Sequence, residues 1–194
     1  MKSVLLGLLS AIFLSGCGIQ SIPQAKNKTE SALAEITNQY KRRSDLIPNL
    51  VSTVQGYAKM EQQTLTQVTE ARASATQMNL DPSKATPQQI QAFANAQGQL
   101  SQALGRLLMV TENYPNLKAD QGFRDLQAQL EGTENRITIA RQRYIETIEQ
   151  FNNLILVPPT SFTNSLIYKH EKMPQWDVSE AEKEKVQAPP EVKF

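Results

Sequence analysis

Cysteine, histidine and tryptophan are almost absent from this 194-residue sequence, because each of them occurs once. A single cysteine excludes an intrachain disulfide framework and a cysteine-rich zinc site. A single histidine excludes the two Glu-x-x-His pairs of a di-iron bundle. Nucleophilic catalysis with an imidazole base would depend on His170, which stands between Lys169 and Glu171 and is predicted to be a surface residue. The sequence therefore predicts no catalytic constellation, no metal site and no cofactor.

An excess of charge of one sign is also missing, since the formal net charge is +1. Without a basic field to attract phosphates, a nucleic-acid partner is not expected. The few glycines are dispersed along predicted helices, so they form no phosphate-binding loop. Period-two runs of Val, Ile and Thr are absent, whereas Gln, Ala, Leu, Glu and Lys dominate the middle of the chain. This composition predicts an all-α fold.

The first feature that is present is an export signal over residues 1–16, in which Lys2 precedes the apolar run Val4–Phe13. This run is shorter than the roughly 20 residues of a transmembrane helix, which disfavours the alternative of an uncleaved anchor helix. The signal ends in Leu14-Ser15-Gly16-Cys17, which resembles a bacterial lipobox. In such signals a peptidase cuts before the cysteine, whose sulfur and new amine are acylated. We therefore predict lipid attachment at Cys17, with the membrane as a partner.

Residues 17–28 are predicted to be a lipidated tether that leads into the first helix. Each buried methylene of a lipid contributes about 0.8 kcal/mol, so two or three acyl chains would hold the protein to a bilayer. Gly18, rather than an acid, follows the cysteine. This predicts a lipoprotein on the exported side of the membrane, on the periplasmic face of the outer membrane if the cell is diderm.

Residues 29–157 are predicted to form a helical bundle, because apolar side chains recur there at steps of three and four. Turn-like sequences at 79–83 and 113–117 separate three long stretches of this pattern. Helix starts are predicted at Thr86-Pro87 and at Asp120. Val157-Pro158-Pro159 ends the third stretch, and residues 158–194 are predicted to be an irregular, partly ordered C-terminal tail.

Pro48 lies inside the first helical stretch, Thr29–Met78. It has no amide hydrogen and crowds the carbonyl group of Ser44. Because the apolar positions keep their phase across the proline, we expect a kinked but continuous helix. The alternative is a new helix start that Asp45 caps, with Pro48 in its first turn.

Four charged residues occupy helix positions where the pattern predicts apolar side chains: Arg43, Glu61, Glu134 and Arg141. A charge that is removed from water must be paired, or it destabilises the fold strongly. One interpretation is that these residues form an interhelical charge network that fixes the register of the helices. The other is that their long side chains reach solvent at the edge of the bundle.

The sequence as a whole resembles the LemA family of bacterial envelope proteins. The resemblance is carried by KRRSDLIPNLVSTVQGYAKMEQQTL at 41–65, EARASA at 70–75, the long stretch at 104–152 and the closing APPEVKF. It implies a membrane-attached protein with an elongated antiparallel bundle of long helices, of the four-helix-bundle type. The sequence departs from the family in its acylated cysteine, where a transmembrane helix is common. It also departs at Tyr144-Ile145-Glu146 and at Phe151, where members often have a tyrosine-asparagine pair.

The predicted lipid anchor, the helical bundle and the lack of catalytic groups together favour a non-enzymatic envelope lipoprotein that acts as a scaffold or protein-interaction module. An envelope protein is then the expected partner. The predicted interaction surface consists of Lys41 and Arg42 with the turn Tyr114-Pro115-Asn116.

Two other functions remain open at this point. The first is an accessory or catalytic role in cell-wall hydrolysis, in which Glu131 and Glu134 lie three residues apart on one helix face and act as an acid pair. The second is membrane remodelling by the apolar tail segment 162–168.

Overall fold

A computed structural model describes residues 19–56, 62–174 and 176, and every regular element in these ranges is helical. The elements are α1 (Ser21–Gln55), α2 (Gln62–Gln77), α3 (Pro87–Thr111), α4 (Pro115–Ala119), α5 (Gln121–Leu156) and α6 (Thr160–Thr163), followed by a π-helical turn (Asn164–Tyr168). The predicted all-α helical bundle is confirmed. Cys17 and Glu61, on which two of the predictions depend, lie outside the described residues.

The chain forms two compact units, and both α1 and α5 contribute residues to each of them. The central unit comprises residues 36–139, and the terminal unit comprises residues 19–35 together with 140–176, within the limits of the described ranges.

The core of the central unit consists mainly of aliphatic side chains. Its fully buried members include Ile47, Leu50, Val54, Val68, Leu100, Leu107, Leu117 and Phe123. These residues come from α1 to α5, so each helix of this unit buries an apolar face in the same core. The periodicity of the sequence thus identified the correct faces.

Two helix starts in the central unit are fixed by side-chain caps, as predicted. Thr86 and Gln89 form a capping box at the start of α3, with Gln89 N–H donating to Thr86 Oγ1 at 3.2 Å and Thr86 N–H donating to Gln89 Oε1 at 2.9 Å. At the start of α5, Phe123 N–H donates to Asp120 Oδ1 at 2.8 Å. Each cap satisfies amide groups that have no partner inside the helix.

Helix α1 runs through Pro48 without interruption, which confirms continuity at the proline. The predicted single stretch Thr29–Met78 is wrong, because α1 ends at Gln55 and α2 begins at Gln62. The alternative, in which Asp45 caps a new helix start, is wrong. Pro48 is exposed, and it lacks the amide that would bond the carbonyl group of Ser44 in a regular helix. Arg72 of α2 compensates for the missing donor, because its Nε donates to Ser44 O at 2.9 Å.

The terminal unit corrects the predicted tether. Helix α1 begins at Ser21 rather than at Thr29, so residues 21–28 are helical. The physical reason is burial, because Ile22 and Ala25 pack in one cluster with Phe151 and Ile155. The apolar pattern that was assigned to a tether therefore belongs to the core of this unit.

The C-terminal tail is fastened to the terminal unit by two buried asparagine side chains. Asn152 pairs with the backbone of Met173, donating to its carbonyl at 2.8 Å and accepting from its amide at 2.9 Å. Asn164 pairs with the backbone of His170 in the same way, at 3.0 and 2.9 Å. The ring of Trp176 then packs edge-on against Tyr144 at 5.9 Å. The predicted partial order of the tail thus has a specific cause up to residue 176.

Candidate functional site: a buried arginine and the cleft beside it

Arg43 is the central polar residue of the central unit. It extends from α1 with only 2% of its surface exposed. Its Nη1 donates to Glu134 Oε2 at 2.9 Å and to Ser101 Oγ at 2.7 Å. Its Nη2 donates to the side-chain and backbone oxygens of Gln97 at 2.8 and 3.1 Å. Both terminal nitrogens are therefore paired, as the burial of a guanidinium group requires.

A tyrosine of the same helix contacts the guanidinium group of Arg43. The Cζ atom of Arg43 lies 4.9 Å from the centre of the Tyr40 ring, within the range of a cation–π contact. The Tyr40 ring packs edge-on against Phe93 of α3 at 5.3 Å. The charge is thus held between helices α1, α3 and α5, which fixes how these helices pack in the central unit.

Glu134 differs from Arg43 in its access to water. Its side chain is 47% exposed, so this carboxylate is not fully desolvated. The pair therefore avoids most of the desolvation penalty on the acidic side, while the cation gains both a counter-charge and neutral acceptors. For Arg43, the interpretation that the side chain reaches solvent at the bundle edge is wrong.

A cleft of about 420 Å³ lies beside this cluster and is lined by α1, the C-terminal part of α2, the loop that follows it and α3. The buried part of its lining includes Tyr40, Leu80, Phe93, Gln97 and Ser44. The exposed part includes Asn38, Lys41, Asp45, Thr76 and Asn79. The buried lining combines aromatic and aliphatic side chains with one amide and one hydroxyl group, and the exposed lining carries amides and opposite charges, so the cleft is amphipathic.

Hydrogen bonds join α1 and α2 at the wall of the cleft. Arg72 Nε bonds the Ser44 carbonyl group, and the hydroxyl groups of Ser44 and Thr76 lie 3.3 Å apart. Gln97 contributes a weaker contact, in which its Nε2 donates to Ala75 O at 3.5 Å. Ser44, which accepts from Arg72, and Gln97, which accepts from Arg43, are therefore also lining residues of the cleft.

The structure brings together Arg43 and Glu134 from the predicted charge network. Glu61 lies outside the described residues, and Arg141 is half-buried on the part of α5 that belongs to the terminal unit. Their membership of the network stays a prediction. Sequence reasoning did not assign Gln97 and Ser101 to the arginine, although Gln97 stands at an otherwise apolar position of α3, which is a usable signal.

The residues of the predicted interaction surface have different environments. Lys41 and Arg42 are exposed, and Lys41 also lines the cleft. Pro115 and Asn116 are exposed at the start of α4, whereas Tyr114 is partly buried against the core. The Tyr114 ring therefore contributes to the packing of the central unit, in addition to any role at the surface.

The two carboxylates proposed as an acid pair have different partners. Glu134 accepts from Arg43, and Glu131 accepts from Gln127 Nε2 at 3.1 Å. Among residues 19–56, 62–174 and 176, His, Cys, Asp and Glu form no group of three that is placed to hold a metal ion.

Burial shifts the pKa of two titratable groups in the terminal unit. Burial raises the pKa of the Tyr144 hydroxyl to about 12. Burial, assisted by the positive charge of Lys26, lowers the pKa of His170. The imidazole is half-buried and stacks on the Tyr168 ring at 5.7 Å, so this histidine at the surface also packs against the tail.

Fold and site together define an all-helical bundle protein with an internal ion pair and an open amphipathic cleft. No helix in the described ranges combines the length and the apolarity that crossing a bilayer requires.

A family model described as LemA family matches residues 32–194, and the chain belongs to the LemA family. The chain is also similar to Protein LemA of Metamycoplasma hominis, with 25% identity over 144 residues. This match covers 74% of the chain and 61% of that protein, so the chain spans less than two thirds of the length of this relative.

Proposed function

We propose that this protein is a non-enzymatic envelope lipoprotein that binds a protein partner through the cleft of its central unit. The observation that carries the proposal is the cleft itself, which opens beside the hydrogen-bonded cluster around Arg43. Its volume is that of a pocket for one or two side chains rather than for a whole interface. A partner would place an apolar anchor inside, and its polar groups would meet the exposed rim.

The charges of the rim indicate what the partner presents. Lys41 and Asp45 are both exposed lining residues, and Arg42 is exposed next to Lys41 in the sequence. An apolar side chain flanked by an acidic and a basic residue would complement this arrangement. Such rim charges mainly determine the rate and the specificity of association.

The ion pair supports a binding role over cell-wall hydrolysis. A general acid or base must reach the substrate proton, either directly or through one water molecule. Glu134 instead accepts from a buried guanidinium group, which a reacting carboxylate would have to leave. Loss of that partner would leave the charge of Arg43 without its counter-charge. We therefore assign Glu134 to the stability of the bundle.

Membrane attachment through Cys17 is the second part of the proposal. It is supported by the signal-like residues 1–16, by the position of the single cysteine and by membership of a family of membrane-associated bacterial proteins. The first described residue, Ile19, follows this cysteine by only two positions. Acylation there would hold the bundle on the exported side of the membrane.

Site-specific photocrosslinking in living cells tests the partner. A photoreactive side chain is placed at Asn38 or Asn79, two exposed lining positions, and at the exposed Glu131, which does not line the cleft. The expected result is a crosslinked protein at the two cleft positions that is absent at the control position. Charge reversal by Asp45→Lys should weaken this crosslink at least severalfold. Equal crosslinking at all three positions, or none at the cleft, would contradict the proposal.

A further inference from the structure

The end of the terminal unit exposes a group of large apolar side chains. Leu156 and Val157 lie at the end of α5, and Phe162, Leu166 and Ile167 follow in α6 and the π-helical turn. Phe162 is 64% exposed and Leu166 is 80% exposed. Residues 150–168 contain no Asp, Glu, Lys or Arg. Uncharged, apolar and exposed surface of this kind is unusual on a protein that is surrounded by water alone.

An ordered scaffold displays these side chains. The hydroxyl group of Thr160 donates to Leu154 O at 2.5 Å and to Val157 O at 3.1 Å, which ties α6 to the end of α5. The buried Asn164 holds the backbone of His170 after the turn. The apolar groups therefore project from a helical segment that is hydrogen-bonded at both ends.

The N-terminal end of the described chain lies at the same place. The hydroxyl group of Tyr168 donates to the carbonyl oxygen of Ile19 at 2.7 Å. Ile19 is itself 47% exposed. Cys17 precedes it by two residues, and two residues of extended chain span at most about 7 Å. Acyl chains on Cys17 would therefore start next to the π-helical turn.

We propose that residues 156–168 form a membrane-contact surface, which inserts Phe162, Leu166 and Ile167 into the interface of the bilayer that holds the acylated cysteine. The inference rests on the proposed acylation, because the anchor places a bilayer at this end of the terminal unit. Interfacial segments bury an apolar face at the boundary between headgroups and acyl chains, and cations at their edges face the headgroups. Lys169 directly follows the surface, and Lys26 lies close enough to His170 to affect its titration.

Quenching of tryptophan fluorescence by brominated lipid tests the contact. The full chain is produced in bacteria, purified and reconstituted into vesicles of phosphatidylcholine with or without bromine on the acyl chains. Phe162→Trp and Leu166→Trp each add a reporter to the proposed surface. Met109→Trp is the matched control, because Met109 is a 71% exposed apolar residue of the central unit. The wild-type protein gives the background from the buried Trp176.

The expected result is that bromine lowers the emission of both surface reporters about twofold or more, since interfacial side chains lie roughly 5–10 Å deep. The emission of the control reporter should change no more than that of the wild type. Two reporters at exposed positions protect the test against a folding defect in one variant.

Two further outcomes separate this inference from the anchor. The mass of the N-terminal peptide reports acylation directly. Acylated protein that floats with the vesicles but shows unquenched reporters would overturn the contact surface and leave the anchor intact. A second copy of the chain that covers the surface would have the same consequence. Protein that is neither acylated nor bound to vesicles would overturn both.

Discussion

Arg72 and Pro48 provide the sharpest stability prediction. In a regular helix the carbonyl group of Ser44 would accept from the amide of residue 48, and proline has no such amide. Arg72 Nε occupies this acceptor at 2.9 Å, and Ser44 is only 4% exposed. Substitution Arg72→Met removes the donor but keeps most of the apolar stem. The carbonyl group then loses the side-chain donor that stands in for the missing amide of Pro48.

The magnitude follows from the burial of this carbonyl group. A buried polar group without a partner costs about 1–3 kcal/mol, and a hydrogen bond from a charged donor contributes about 1.5–3 kcal/mol. We therefore expect Arg72→Met to lower the free energy of unfolding by about 2 kcal/mol. In a chain that also carries Pro48→Ala, the restored amide bonds the carbonyl group, and the same change should cost less than about 1 kcal/mol. The two residues should thus be coupled by about 1 kcal/mol or more.

Urea unfolding followed by far-ultraviolet circular dichroism measures all four chains of this double-mutant cycle. Arg106→Met is a matched control, because Arg106 is an exposed arginine of α3, and it should change stability by less than about 0.5 kcal/mol. If Arg72→Met costs the same with proline and with alanine at position 48, Arg72 does not replace the missing amide. The compensation would then be refuted, whatever the size of the individual effects.

Three further predictions concern the ion pair, the tail and the histidine. Glu134→Gln should destabilise the fold by about 2 kcal/mol, because it removes the counter-charge of a buried cation, and Glu131→Gln, at an exposed position on the same helix, should have little effect in the same unfolding assay. Asn152→Ala should release the backbone of Met173 and shift the Trp176 emission to the red, whereas Asn153→Ala, at the exposed neighbouring position, should leave the emission unchanged. The pKa of His170 is lowered from 6.5 by burial and by Lys26, so the unfolded chain binds a proton more readily than the folded chain. Stability should therefore be lost as the pH falls from about 6.5 through the folded pKa, and His170→Gln should flatten this part of the stability profile. The first prediction is contradicted if the two glutamate changes destabilise the fold equally. The second is contradicted if the two asparagine changes give equal emission, and the third if both chains have the same pH profile.

The buried helix faces of the central unit could be predicted because their signals are local, whereas the division of Thr29–Met78 into α1 and α2 was not predicted. Apolar residues at steps of three and four identify the buried faces, and the caps at Thr86 and Asp120 need only residues within one helical turn. Continuity through Pro48 could also be predicted, since the buried positions Ile47 and Leu50 keep their phase.

Partners in the tertiary structure could not be predicted in the same way. The charge of Arg43 indicated that a counter-charge was needed, but its neutral acceptors Gln97 and Ser101 depend on which face of α3 meets α1. The early start of α1 was missed because Ile22 and Ala25 are buried by residues more than a hundred positions further along the chain. A similar limit applies to Asn152, because an asparagine that binds the backbone of a tail has no distinctive spacing in sequence.

The most direct test of the central claim, which is attachment to the membrane at Cys17, is to determine the residue at which the mature chain begins. We predict that mass spectrometry of the protein purified from bacterial membranes finds an N-terminal peptide that begins at this cysteine and carries the added mass of its acyl chains. A mature chain that begins elsewhere, or one that begins there without lipid, would contradict the account.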